Sequence, residues 1–202
     1  MKDGPPGPDG SAVPTLAYAL LSLLAREPLT GYEMTKLLRD PIGLFWQARH
    51  SQIYPVLSRL ERLGWATAEL SAGPGPRPTK RYRVSQDGLA ALRDWVGSPQ
   101  SRLSSRDDLL LRVYASWVTN RSTTLRVLRD AEARHARQLS VYLARRASAE
   151  SRGDLDPPGS AWFADYATLR RGIGFERGRL AWVRWLIARI EAEPDDTFGG
   201  QP

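Results

Sequence analysis

The sequence predicts a mainly helical chain in two parts: helix-helix-helix-strand-strand-helix (α-α-α-β-β-α) over residues 13–97 and helices alone over 98–192. Three observations predict this. Apolar residues recur at helical spacing through most of the chain. The stretch that reads as a β-hairpin, Trp65 to Val84, falls in the first part. Gly97-Ser98-Pro99 then breaks the chain between the two parts.

At 202 residues the chain is long enough for one domain and a smaller second one, taking ~150 residues per domain. Its 42% hydrophobic and 25% charged residues are ordinary globular composition. There is no cysteine, which excludes disulfides, thiolate metal centres and cysteine nucleophiles and suits a reducing cytoplasm. The longest uncharged apolar run, Val13 to Ala25, has thirteen residues against the ~20 that span a bilayer, so no membrane segment is expected. Lys2 is offset by Asp3 and Asp9, and no small-x-small site follows the run, so a buried helix is expected and not a signal peptide. Residues 1–12 and 193–202 are rich in Pro, Gly and Asp and are expected to be disordered tails.

Each element has its own signal. Pro14-Thr15 opens a first helix that carries Leu16, Ala19, Leu20, Leu23 and Leu24, and Pro28 closes it. Thr30-Gly31-Tyr32-Glu33 is a capping box for a second helix ending near Pro41. A third helix runs from about Ser51 to Leu63, capped by Ser51, with Pro55 in its first turn and Gly64 as its stop. Its apolar face is Ile53, Val56, Leu57, Leu60 and Leu63. Two strands follow, Trp65–Leu70 and Lys80–Val84, joined by a loop too rich in Gly and Pro to be helical. Ser85 caps a fourth helix bearing Leu89, Leu92, Trp95 and Val96.

In the second part, Ser104 or Ser105 with Asp107 and Asp108 starts a helix through Val118, and Thr123–Ser151 forms a longer one. The last helix is the most periodic. Trp162, Tyr166, Leu169, Ile173, Glu176, Leu180, Val183, Ile187 and Ile190 alternate spacings of four and three, a heptad seam that calls for a helical partner. That partner is expected to be a second copy of the chain, and Glu176 is the weak layer of the seam unless an arginine such as Arg137 or Arg145 pairs with it.

Three helices and a hairpin in this order outline a winged helix-turn-helix, whose third helix enters the DNA major groove. The side of that helix opposite its apolar stripe carries Ser51, Tyr54, Pro55, Ser58, Arg59 and Arg62, groups that can bond base edges and phosphates. A merely solvated face is the competing reading. Around the hairpin loop, Arg77, Lys80, Arg81 and Arg83 form a cationic tip able to reach phosphate, or alternatively a charged edge that blocks aggregation. The net charge of +7 favours an acidic partner, nucleic acid before membrane. Residues 13–97 carry +4 and 98–192 carry +7, so charge alone does not say which part binds it.

The stretches LAYALLSLLAREPLTGYEM (16–34), FWQARHSQIYPVLSRLERLGW (45–65) and KRYRVSQDGLAAL (80–92) resemble the PadR family of bacterial transcriptional regulators. LRRGIGFERGRLAWVRWL (169–186) is similar to the end of the helical C-terminal domain that longer PadR-like regulators share with virulence activators. The loop SAGPGPRPTKRY is richer in proline than the family's usual wing, and Trp65 stands where a smaller aliphatic is usual. The resemblance implies a cytoplasmic homodimer that binds a pseudo-palindromic DNA operator, more often as a repressor. On that reading Tyr32 and Lys36 brace against phosphates, Ser51, Gln52, Tyr54, Ser58 and Arg59 approach bases, and Arg77, Lys80 and Arg81 hold the wing to the DNA backbone. Dimerisation falls to Tyr166, Leu169, Ile173, Leu180, Val183, Ile187 and Ile190.

No catalytic constellation, metal ligand set or cofactor loop is legible. His50 and His135 are the two histidines, and neither pairs with a nucleophile and a carboxylate. A basic helical protein-interaction module is the alternative from another class. Trp117, Trp162, Phe163, Trp182 and Trp185 put more large rings on the second part than one seam covers. They are expected either to line a site for a small aromatic effector, to which PadR-like regulators often respond, or to be core.

Overall fold

The computed structural model describes residues 12–39, 50–71, 79–99, 107–151 and 157–193. The chain forms two compact units that part between Leu103 and Ser104.

In the first unit, α1 (Thr15–Leu24), α2 (Gly31–Arg39) and α3 (His50–Arg62) pack around one core, with α4 (Gln86–Gly97) closing it. Tyr18, Leu20, Leu21, Met34, Leu38, Ile53, Leu57 and Leu60 are fully buried. Tyr18 stacks on Trp95 with ring centroids 4.8 Å apart, and tilts against Trp65. Trp65, oversized for its place in the family pattern, is thus an aromatic core residue.

The local signals act where the sequence places them. Thr30 Oγ1 accepts from the Glu33 amide (3.2 Å) while Glu33 Oε2 accepts from the Thr30 amide (2.7 Å), a complete capping box. Gly64 takes φ +69°, which lets the Trp65 amide reach the Leu60 carbonyl (2.9 Å) and end α3 cleanly. Ser85 Oγ accepts from the Gly88 amide and caps α4. Pro55 differs from expectation: α3 begins at His50, so the proline lies beyond the first turn, inside the helix, where it removes one backbone bond.

Strands β2 (Ala66–Ser71) and β3 (Thr79–Val84) pair antiparallel from Ala66↔Val84 to Ser71↔Thr79. A short strand absent from the sequence reading, β1 (Leu29–Thr30), pairs with the other side of β3, giving the order β1-β3-β2. Two residues after Pro28, the second of them the helix cap itself, carry no alternation to read.

The second unit is helical. Asp107 caps α5 (Asp108–Tyr114), which stops short of the expected Val118 because the chain tightens into a 3₁₀ turn at Ser116–Val118. The long helices α6 (Arg121–Glu150, capped by Asn120) and α7 (Ala161–Ala192, capped by Ser160) form the body of the unit. Val183, Leu128, Ala131 and Leu109 bury together, with Trp182, Leu186, Ile187 and Ile190 packed around them.

Candidate nucleic-acid interface

On α3, Ser51, Gln52, Tyr54, Pro55, Ser58 and Arg62 are exposed while Ile53, Leu57 and Leu60 are buried, as a helix with one apolar stripe requires. Tyr54 does two things. Its ring covers Gly31, where a Cβ would lie 2.8 Å from Tyr54 Cε1, and the residue still keeps 41% of its surface exposed. A side chain at Gly31 would have to push the Tyr54 ring aside. From α2, Tyr32 and Lys36 are exposed one turn apart.

Two residues expected at bases or phosphate are committed elsewhere. Arg59 is partly buried, and its Nη1 donates to the Ala12 carbonyl (3.0 Å), tying the segment before α1 to α3. Arg81 points back across the sheet: Nη1 donates to the Pro28 carbonyl (2.7 Å) and Nη2 faces Glu33 Oε1 (3.3 Å). In both cases the long guanidinium stem reaches past the exposed rim to a main-chain carbonyl. Glu33 thus joins the capping box to the wing. The Thr30 amide, opposed by burial and helped by the Thr30 hydroxyl and Arg81, holds its carboxyl below the usual range.

The remaining wing cations also face carboxylates. Lys80 Nζ lies 3.2 Å from Glu61 of α3, and Arg83 lies 4.0 Å from Glu69. Neither acid stood out in the sequence, because cross-strand and helix-to-wing partners have no sequence spacing. Arg77 lies outside the described residues, as do Ser104, Ser105 and the tails 1–11 and 194–202.

The second unit sets the last helix against its neighbour in the same chain. The α7 seam packs on α6 of the same chain: Leu169, Ile173, Leu180 and Val183 are buried, and Tyr166, Ile187 and Ile190 are partly buried. Within the chain, α6 is therefore a helical partner for this heptad seam, and Tyr166, Ile187 and Ile190 keep part of their surface open. Glu176, buried in the same seam, pairs with His135 (Nδ1–Oε2 2.6 Å), a partner the sequence did not single out.

Nor do the aromatic residues form one cluster. Trp117, Trp162 and Trp185 are all more than half exposed, and Trp162 and Trp185 stand ~35 Å apart along α7 at 1.5 Å per residue. Phe163 is partly buried near the helix start. Trp182 lines a depression with Leu110, Gly174, Phe175, Gly178 and Arg179. Among the described residues no group of three or more His, Asp or Glu is placed to hold a metal. None of the described helices is long and apolar enough to cross a membrane.

Residues 20–94 match the transcriptional regulator PadR-like family, and residues 105–191 match the virulence activator alpha C-terminal family. The negative transcriptional regulator PadR of Bacillus subtilis (strain 168) is 28% identical over 183 residues, covering 88% of this chain and 98% of its own. The crystal structure of Bacillus subtilis PadR in complex with operator DNA superposes with a TM-score of 0.77 at 26% identity, over 88% of this chain and 99% of that one. Its structure in complex with p-coumaric acid matches with a TM-score of 0.70 at 26% identity, over 88% and 96% of the two chains. These relatives are regulators and not enzymes. The chain thus carries a PadR-like domain in its winged unit and a virulence activator alpha C-terminal domain in its helical unit, the pair matched along 88% of its length by a PadR regulator.

Proposed function

We propose that the chain binds double-stranded DNA in a sequence-specific way as a homodimeric repressor in the cytoplasm, with residues 13–97 holding the DNA-binding surface and 98–192 the dimer and effector surfaces. The observation that carries this reading is the exposed face of α3. Ser51, Gln52, Tyr54 and Ser58 offer hydroxyls and an amide that read base edges, and Arg62 adds a guanidinium. Tyr32 and Lys36 on α2 stand ready for phosphate, as the helix before a recognition helix does. Lys80 is exposed, and its ion pair with Glu61 is weak enough for a phosphate to displace, since such surface pairs contribute ~0–1 kcal/mol. Arg59 and Arg81 are reassigned to holding the fold.

The operator complex of the Bacillus subtilis relative supports the DNA reading, and that protein's name supports repression. The relative's p-coumaric acid complex supports release by a small aromatic ligand. For the dimer, the support is the apolar surface left open on the second unit, where Trp162, Phe175 and Trp185 are exposed. A twofold dimer would set its α3 helices on successive major grooves ~34–36 Å apart. Selection from random duplexes with the full chain tests this reading. The expected product is a pseudo-palindrome with half-sites one helical turn apart, and a pool that never enriches would refute it. Light scattering at micromolar concentration should report twice the chain mass, and a monomer would remove the dimer.

A further inference from the structure

Each wing cation among the described residues faces an acid, and one of these pairs joins the wing to α3. Lys80 Nζ donates to both carboxylate oxygens of Glu61, Oε1 at 3.2 Å and Oε2 at 3.4 Å. Arg81 faces Glu33, and Arg83 faces Glu69. Strand register shows where the first pair stands. Lys80 lies opposite Leu70, and alternation sets both on the face of the sheet that carries Ala68 and Tyr82 against the core. At this end of the strands the core gives out. Leu70 is 73% exposed and the Lys80 side chain 54%, so the pair is open to an incoming anion.

Glu61 stands where two physical effects oppose a carboxylate. It lies in the last turn of α3 with Arg59 and Arg62, where the helix dipole favours cations and disfavours acids. It also lies one turn from Ser58 and beside Arg62, at the end of the outward face of α3, where a negative charge repels a phosphate backbone. Neither the helix nor a DNA-reading face gains from an acid here. What the acid does is hold Lys80.

We propose that Glu61 is a brake on DNA binding: its carboxylate competes with phosphate for Lys80 and so lowers the affinity of the wing for duplex of any sequence. The brake rests on the DNA reading above, but not on sequence preference or on the dimer. A phosphate gains Lys80 only when the Glu61 pair opens, and it then meets the carboxylate left behind. One exposed pair is at stake, so the effect is modest: ~2- to 5-fold in affinity, the upper value being the equilibrium ratio for ~1 kcal/mol. Because the competition is between exposed charges, it weakens as salt rises. The Arg81–Glu33 pair is a different case, since Arg81 also holds the Pro28 carbonyl and is not released by loss of the acid alone.

The test is fluorescence anisotropy of the full chain on a labelled duplex of arbitrary sequence, at low and at physiological salt. Four proteins are compared: wild type, Glu61→Gln, Lys80→Met and the double variant, all of which should fold because the pair is exposed. Glu61→Gln should bind ~2- to 5-fold more tightly at low salt, with the gain shrinking as salt rises. Loss of any acid raises affinity for a polyanion through the general field, and the double variant separates that effect from competition. With Lys80 absent, Glu61→Gln should gain little. Equivalently, Lys80→Met should lose more affinity from the Glu61→Gln protein than from the wild type. Three results would overturn the brake. Weaker binding by Glu61→Gln would make Glu61 a support that steadies Lys80 for phosphate. Unchanged binding at low salt would remove any competition. The same gain with and without Lys80 would leave only the field of the lost charge. Where the wild type binds the duplex and one of these is found, the DNA reading stands and the brake fails; where neither the wild type nor any variant binds any duplex, both fail.

Discussion

Replacing Arg81 should lower stability rather than DNA affinity, because its guanidinium spans from the wing to the start of α2. It holds the Pro28 carbonyl and the Glu33 carboxylate, which itself completes the capping box with Thr30. Thr30→Ala deletes one cap bond and should cost ~1 kcal/mol. Arg81→Met removes a bond to a partly buried carbonyl and an ion pair whose partners are 38% and 41% exposed. The first contributes ~1 kcal/mol and the second, screened by water, ~0–1 kcal/mol, so ~1–2 kcal/mol is expected. Glu33→Gln weakens both ends, and its effect should not add to that of Arg81→Met because the two share a partner. In a unit of about 100 residues each kcal/mol lowers the midpoint by ~4–8 °C. Scanning calorimetry of the full chain at pH 7 reads these shifts. The Glu33 carboxyl is held below its ordinary 4.5, so its contribution is complete above that pH and disappears as pH falls through the folded value. The gap between wild type and Glu33→Gln should close on acidification. An Arg81→Met protein that melts with the wild type but loses as much DNA affinity as Lys36→Ala would refute this assignment.

Two further stability tests follow from the packing. Gly88→Ala would place a Cβ 2.1 Å from the Trp65 carbonyl oxygen, a main-chain atom that cannot rotate away, so it should cost ~3 kcal/mol or abolish folding, read as a lower urea midpoint. His135→Leu leaves Glu176 buried without its partner and should cost ~1–3 kcal/mol, whereas the double change with Glu176→Leu should recover most of that loss in thermal melts.

Much of the fold is written in short-range signals. The Thr30–Glu33 box, the Gly64 stop and the Ser85 cap each work through neighbours three to five residues away, and all three act where the sequence puts them. The α7 heptad is equally plain, yet it specifies an apolar stripe and not whose helix covers it, so α6 of the same chain was legible only in three dimensions. The interface divides the same way. Helical phase places Ser51, Tyr54 and Ser58 outward, but whether an arginine on that rim reaches out or folds back depends on carbonyls far away in sequence: Ala12 for Arg59 and Pro28 for Arg81. Strand β1 and the His135–Glu176 pair were missed for the same reason, since partners 51 and 53 residues apart in the one case and 41 in the other leave no local pattern.

The central claim, that the outer face of α3 reads DNA sequence, is tested most directly by fluorescence anisotropy of the full chain on its selected duplex and on a scrambled one, at several salt concentrations. The selected duplex should bind at least ~10³-fold more tightly near physiological salt. Gln52→Ala or Ser58→Ala should erode that preference, whereas Lys36→Ala should weaken both duplexes alike and flatten the salt slope by about one unit. Equal affinity for the two duplexes, or a preference untouched by Gln52→Ala and Ser58→Ala together, would contradict the account.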